Sequence, residues 1–390
     1  MRGGRRVPRT LLLYLAAALL CLSCERKADG SNAAPTADLV VYTSHPSELV
    51  RFVVAEWRER SGRRIRFVQG GTGELLSRLK AEAADSSGPE ADLLWGGGAE
   101  SLAANAELFE PYRSSEDDAI PAAYKAADGS WTGFTVLPMV IAYNARLLGP
   151  ERAPKGWADL FDPRLAGNIA YADPAASGSA YTILRTMEEI LGPESAAMMA
   201  AEGGTARLAP DGASGGSRSS SQTGAARVAR DFARALGGRL LPESSRVLQA
   251  VAAGEYLVGV SFENAALELT SKGSDLGIVY PAEGTSAVPD GVALVRGARN
   301  ADQARAFIDF VLGPDVAAIV SSRHGRRSAR SEASAPEGLP PLSELRTIPY
   351  DIEAAARSKP SEIENFARRV REAEAAAKTG GFGGDADRGD

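Results

Sequence analysis

Cysteine and histidine are nearly absent: the 390-residue chain has two of each, and both cysteines, Cys21 and Cys24, fall in its first two dozen residues. Everything after Cys24 is therefore without disulfides, thiolate metal sites or a cysteine nucleophile. His45 and His324 stand alone, and no HExxH or paired His/Cys spacing exists for zinc. A formal charge of −6 gives no basic footprint, which excludes nucleic acid as a partner. No apolar run approaches the roughly 20 residues a membrane helix requires, and no internal repeat is present. Gly212-Ala213-Ser214-Gly215-Gly216 matches a G-x-S-x-G nucleophile pattern, but no strand precedes it and no triad order follows. No catalytic residue, metal or cofactor is expected, and the chain reads as a non-enzyme.

What is there begins with a leader. Arg2, Arg5, Arg6 and Arg9 precede the apolar stretch Leu11 to Leu22, too short to span a bilayer and typical of an export signal. Ser23, Cys24 and the polar Glu25-Arg26-Lys27 follow, and this junction resembles the lipobox of bacterial lipoproteins, with Cys21 where leucine is usual. That resemblance implies a signal peptide over 1–24, lipidation at Cys24, and a lipid anchor on the periplasmic or cell-surface side of the cytoplasmic or outer membrane. Residues 25–37 are small and polar and predict a flexible tether; 378–390 are Gly- and Asp-rich and predict a disordered tail.

About 365 residues remain, more than one core usually serves, which predicts two lobes. Leu39 to Tyr42, Ile65 to Val68 and Asp92 to Trp95 read as strands. Between them lie helices with apolar faces at Leu49, Val50, Val53, Val54 and Trp57, then at Leu75, Leu76 and Leu79. This β-α-β-α-β order predicts an α/β fold, with the loops Thr43 to Pro46, Gln69 to Gly73 and Gly96 to Gly98 at the strands' carboxyl ends, where open sheets bind ligands. Val136 to Asn144 reads as a crossing into a second α/β region with strands at Asn168 to Tyr171 and Tyr256 to Ser261; Gly277 to Tyr280 reads as the return, and Gly291 to Val295 as a further strand. The expected division is 38–138 plus 279–377 for lobe 1 and 139–278 for lobe 2, with a mobile low-complexity insertion at 203–224. Each lobe is expected to hold a mixed, mostly parallel sheet flanked by helices.

Candidate binding residues cluster at predicted helix starts. Gly70-Gly71-Thr72-Gly73-Glu74 places unpaired amides and a hydroxyl where the helix dipole favours an anion. Ser44 and His45 sit beside it on the same sheet edge. Ser177, Gly178 and Ser179 open another helix, where they cap it or present hydroxyls; Ser244 and Ser245 open a third. Glu263, after a strand end, reads equally as a ligand acceptor or a first-turn helix acid. His324, in Arg323-His324-Gly325-Arg326-Arg327, reads as part of a solvated face and is left out of the site, although an arginine there could reach an anion.

Nine segments carry a family resemblance: VYTSHP (41–46), GGTGELL (70–76), DLLWGGGAESL (92–102), LFEPY (108–112), WTGFTVLPMVIAYN (131–144), PKGWADLFDP (154–163), YADPAASGSAYT (171–182), GEYLVGVSFENAA (254–266) and VYPAEGT (279–285). Over about 38–375 the chain resembles the extracytoplasmic solute-binding proteins of ABC importers, in the iron-type cluster with hexose-phosphate and 2-aminoethylphosphonate binders. The resemblance implies the two-lobe type II periplasmic-binding-protein fold, two hinge crossings, a monomer, and delivery of a small anionic solute to permease subunits. It implies anion contacts from Ser44, His45, Thr72, Gly73, Ser177 and Ser179, with Glu263 reading the ligand's other end. Ferric members use a His, a Glu and two adjacent tyrosines. His45 and Glu74 fit the first half of that set, but no Tyr-Tyr pair occurs, which leaves ferric iron as the alternative to a phosphate- or phosphonate-bearing solute.

Overall fold

Strand β1 (Leu39–Thr43) is buried along its whole length and pairs in parallel with β2 (Ile65–Gln69) on one side and β3 (Leu93–Gly98) on the other. A central strand buried along its whole length needs helices on both faces. Helices α1 (Ser47–Ser61) and α2 (Thr72–Ala84) supply the crossovers, burying Leu49, Val50, Val53 and Trp57, and Leu75, Leu76 and Leu79. Gly62 ends α1 in the left-handed conformation, its amide bonding the Arg58 carbonyl at 2.9 Å. Ser47 does not cap α1; its hydroxyl donates to the Gln69 side chain. The computed structural model describes residues 38–201 and 218–380. The leader, Cys24, the tether at 25–37, the Gly212–Gly216 motif and residues 381–390 lie outside them.

The remaining elements are α3 (Ala99–Ala103), β4 (Phe109–Glu110), β5 (Thr132–Asn144), β6 (Ile169–Ala170), α4 (Gly178–Ala201), α5 (Arg218–Ala235), α6 (Ser244–Ala252), β7 (Val258–Phe262), α7 (Glu263–Ser271), β8 (Leu276–Val279), β9 (Ala287–Val295), α8 (Ala301–Leu312), α9 (Pro314–His324), β10 (Arg327–Ser328) and α10 (Ile352–Gly380). The strand order is β2-β1-β3-β9-β5-β7-β6, with β10 and β8 also on β5 and β4 on β9. The sheet is mixed, but parallel pairing is confined to β1 with its two neighbours and to β6 with β7. The expectation of mostly parallel sheets is corrected on this point. Strands β5 and β9 return across the sheet without a crossover helix and run antiparallel to every partner they have.

Strand β5 organises the molecule. Its first part, Thr132 to Pro138, pairs β9 and β10, and its second part, Met139 to Asn144, pairs β7 and β8. The predicted crossing is thus one 13-residue strand shared by two half-sheets. The first half carries apolar clusters around Trp95, Phe307 and Trp57 on one face and around Tyr42, Leu94 and Trp131 on the other. The second half has its own cluster around Ile141, Leu184, Phe232 and Val258.

Two boundaries differ from the sequence expectation. Residues 218–224 of the expected insertion are helical, forming the start of α5, and α10 runs on to Gly380. Residues 352–377 were expected with the first half, yet Phe366, Val370 and Ala373 pack into the second half's cluster, while α10 also packs against α3. Burying Phe366 decides this placement: a side chain of that size removes on the order of 2 kcal/mol of apolar exposure wherever a socket exists, and the socket is beside Tyr171 and Phe232.

Candidate functional site

The loops at the carboxyl ends of β1, β2 and β3 are drawn together by hydrogen bonds and by two glycines. Gly70 donates its amide to the Thr43 carbonyl, and the Gln69 amide group donates to the His45 carbonyl, joining the first two loops. Gly96 and Gly97 both take positive φ, 108° and 92°. A Cβ on Gly96 would sit 2.7 Å from the Ser44 hydroxyl, and one on Gly97 would sit 2.8 Å from Thr72 Cγ2. Glycine is thus required twice over, by conformation and by the closeness of the neighbouring loops.

A cavity of about 690 Å³ opens there. Ser44, His45, Thr72 and Gly73 line it from the first half, and Ser177, Gly178, Ser179, Ser244 and Ser245 from the second. The first intrahelical bond of α2 is Leu75 N–H to the Gly71 carbonyl, so the Thr72, Gly73 and Glu74 amides have no partner within the helix. The Ser44 and Thr72 hydroxyls make no hydrogen bond among the described residues. At α4, Ser177 is the cap, its Oγ accepting from the Ala180 amide at 3.2 Å and lying 2.9 Å from Ser179 Oγ. A larger recess of about 910 Å³ lies against α1 and β2, but its lining includes none of the loop glycines.

On the β5 and β9 side, the cavity wall contains His45, Asp290 and Arg326. The Asp290 carboxylate accepts from the Thr135 amide (2.9 Å) and hydroxyl (2.6 Å) and from Arg326 Nη2. Arg326 also donates through Nε and Nη2 to Thr135 Oγ1, which leaves Nη1 without a partner among the described residues. The His45 ring packs edge-on to Trp95 and Phe134, with Nδ1 3.8 Å from Asp290 Oδ2 and Nε2 unpartnered. Burial lowers its pKa to about 4, with Arg326 adding to the shift and Asp290 opposing it. The imidazole is therefore neutral at neutral pH.

On the α3 and α10 side lie Glu100, Ser101, Asn105 and Lys359. Glu100 Oε1 accepts from Thr182 Oγ1 at 2.7 Å and from the Tyr350 hydroxyl at 2.8 Å, which links α3 to α4 across the cavity. Lys359 donates to Ser101 Oγ at 3.0 Å and lies over the Tyr181 ring; burial lowers its pKa, opposed by Glu100. With Lys80 on α2, the lining holds three cations against the two carboxylates Glu100 and Asp290.

Nine of the eleven predicted binding residues line this one cavity; Glu74 and Glu263 do not. Glu74 is exposed and its carboxylate folds back over Gly70. Glu263 is 1 % exposed and committed to an ion pair, Arg327 bonding both of its oxygens at 2.7 and 2.8 Å while the Tyr280 hydroxyl donates to Oε1. With its oxygens so occupied it holds β10 to α7, and the expectation that it reads the ligand's other end is corrected. Ser244 and Ser245 are exposed at the rim, and the Ser245 hydroxyl donates to Glu243. The run 323–327 is no solvated face at its end: His324 is half-buried, and Arg326 and Arg327 are buried. Sequence reasoning missed Asp290, Glu100 and Lys359, and it left Arg326 out of the site although it noted that an arginine of this run could reach an anion. An acid inside the apolar stretch Val288-Pro289-Asp290-Gly291-Val292 was a visible signal for Asp290; Lys359 had none, because its cavity neighbours are far away in the chain.

A family described as bacterial extracellular solute-binding protein matches residues 87–354. The chain belongs to that family. Among its relatives is a Sinorhizobium fredii protein named "Probable ABC transporter periplasmic-binding protein y4fP", 26% identical over 340 residues, 86% of this solute-binding protein and 87% of the relative. Among solved structures, the periplasmic binding protein AfuA from Actinobacillus pleuropneumoniae, with exogenous fructose-6-phosphate bound, matches with a TM-score of 0.71 at 23% identity, covering 86% of this solute-binding protein and 98% of AfuA. Iron-bound HitA from Pseudomonas aeruginosa matches with a TM-score of 0.66 at 19% identity, covering 85% and 99%. These structural likenesses establish the fold; one of the two neighbours has a sugar phosphate bound and the other iron.

Proposed function

We propose that this protein captures a small phosphate- or phosphonate-bearing solute between its two half-sheets and delivers it to the permease of an ABC importer, working from the bacterial cell envelope as a lipid-anchored monomer. The carrying observation is the single cavity that joins Ser44, His45, Thr72 and Gly73 to Ser177, Gly178 and Ser179, with unpaired helix-start amides, free hydroxyls, an unpaired Arg326 nitrogen and an excess of cations. Helix starts and arginine are both suited to phosphoryl oxygens, and three or four charge-assisted hydrogen bonds of about 1.5–3 kcal/mol each are on the scale of a micromolar ligand. We take the two half-sheets as the two lobes, and closure would turn on the middle of β5 and on the segment between β8 and β9. The ferric alternative, which HitA brings to mind, finds His45, Glu100 and Asp290 in the cavity lining, Asp290 tied to Arg326, Glu100 already accepting from Tyr350 and no tyrosine in the lining itself.

Thermal-shift and calorimetric titration with sugar phosphates, aminoalkylphosphonates, inorganic phosphate and ferric citrate test this reading. A phosphate- or phosphonate-bearing solute raises Tm, and Thr72→Ala and Ser179→Ala each weaken its binding about 10-fold or more with little loss of stability. Stabilisation by ferric citrate alone overturns it.

A further inference from the structure

We propose that the α3–α10 wall of the cavity, Glu100, Asn105 and Lys359, reads hydroxyl groups on the bound anion, so that the solute is a polyhydroxylated organic phosphate of the sugar-phosphate class. This rests on the anion reading above and goes beyond it by choosing among anions.

The case begins with incomplete hydrogen bonding. Glu100 is 2 % exposed, and its Oε1 takes both donors, Thr182 and Tyr350. Oε2 accepts from nothing among the described residues, and it lies 3.0 Å from the point where a Cβ on the cavity-lining Gly98 would be. Asn105 is 8 % exposed; its amide nitrogen donates to the Ser101 carbonyl, while Oδ1 is buried with no partner. A buried acceptor left without a donor, as Asn105 Oδ1 is, costs free energy unless something in the cavity donates to it, and Glu100 Oε2 stands open to a second donor beside it. Lys359 adds the complementary group: its ammonium spends one hydrogen on Ser101 Oγ and makes no ion pair within 4 Å among the described residues.

Two acceptors beside one donor distinguish between ligand groups. A hydroxyl both donates and accepts, so a pair of adjacent hydroxyls can donate to Glu100 Oε2 and Asn105 Oδ1 while accepting from Lys359. A primary ammonium, as in an aminoalkylphosphonate, would satisfy Glu100 but would enter beside the like charge of Lys359, which penalises it. A bare phosphate reaches the helix starts and leaves both acceptors unpaired. Sites built to bond a ligand hydroxyl discriminate strongly against analogues lacking it, because the site's own groups are then stranded.

Calorimetric titration of the purified protein with glucose 6-phosphate, inorganic phosphate and 2-aminoethylphosphonate decides the matter. Glucose 6-phosphate binds at least 10-fold more tightly than either of the others. Glu100→Gln, which keeps an oxygen for Thr182 and Tyr350, and Lys359→Met, which also removes one of the cavity's cations, each weaken glucose 6-phosphate about 10-fold or more beyond any change for inorganic phosphate. Equal affinity for the three probes, preference for 2-aminoethylphosphonate, or an equal loss for glucose 6-phosphate and inorganic phosphate in both variants overturns the hydroxyl-reading wall alone. If no phosphate-bearing probe binds the wild-type protein, the anion reading fails and takes this inference with it.

Discussion

Glu263 shows at the scale of one residue how a helix-start acid acquires a structural task. Its ion pair with Arg327 joins α7 in the second half to β10 in the first, and both side chains are buried. Two charges taken from water attract strongly only while both are present, and losing one partner of a buried pair costs about 3–5 kcal/mol. Glu263→Ala accordingly lowers stability by that amount in denaturant titration while the cavity-lining hydroxyls stay in place; an unchanged midpoint together with lost ligand binding would restore Glu263 to the site. The sequence left these two roles even because both put an acid after a strand end. What separates them is Arg327, 64 positions away, and no local pattern reports a partner at that range. By contrast, Ser44, Thr72, Ser177 and Ser179 were legible because helix starts and glycine turns are local features. The same holds for β1 to β3 and their crossover helices, whose apolar periods lie within single windows.

At the scale of elements, α10 is the piece that local reading misplaced. Its partners could not be read locally: Phe366 enters the second half's core, Tyr181 on α4 donates to the Ala355 carbonyl and to Glu362, and Arg185 on α4 pairs with Glu362 at 2.9 Å. Glu188 lies in this α4–α10 contact, facing Arg185, Glu189, Glu362 and Arg369. Burial pushes its pKa up to about 8, with Glu362 adding to the rise and Arg185 and Arg369 opposing it. The folded state thus holds a proton that the unfolded chain gives up near 4.5. This contribution to stability is complete below that value and is lost as the pH climbs to about 8. Glu188→Gln, which stays neutral, removes that decline, and thermal midpoints measured between pH 6 and 9 check it: a wild-type slope identical to the variant's would place no proton on Glu188.

For the whole molecule, the question is whether the half-sheets behave as separate domains. The described residues group into one compact unit. The halves share β5, and they are further tied by Glu263–Arg327, by Glu100–Thr182 and by α10, which packs on both. Ties of this number couple unfolding, so scanning calorimetry of the protein gives one cooperative transition with matching calorimetric and van't Hoff enthalpies. Two resolved transitions would show the halves melting independently. The antiparallel return of β5 and β9, which makes this coupling possible, was hidden in the sequence because a long buried run carries no mark of which neighbours it will meet.

Lys359 reaches the cavity from a helix that begins at Ile352, whereas the loops it faces belong to the opening segments of the chain. A polypeptide cut short before Ile352 would therefore lack one wall of the vessel, and competence to hold cargo depends on residues from nearly the full span of the chain.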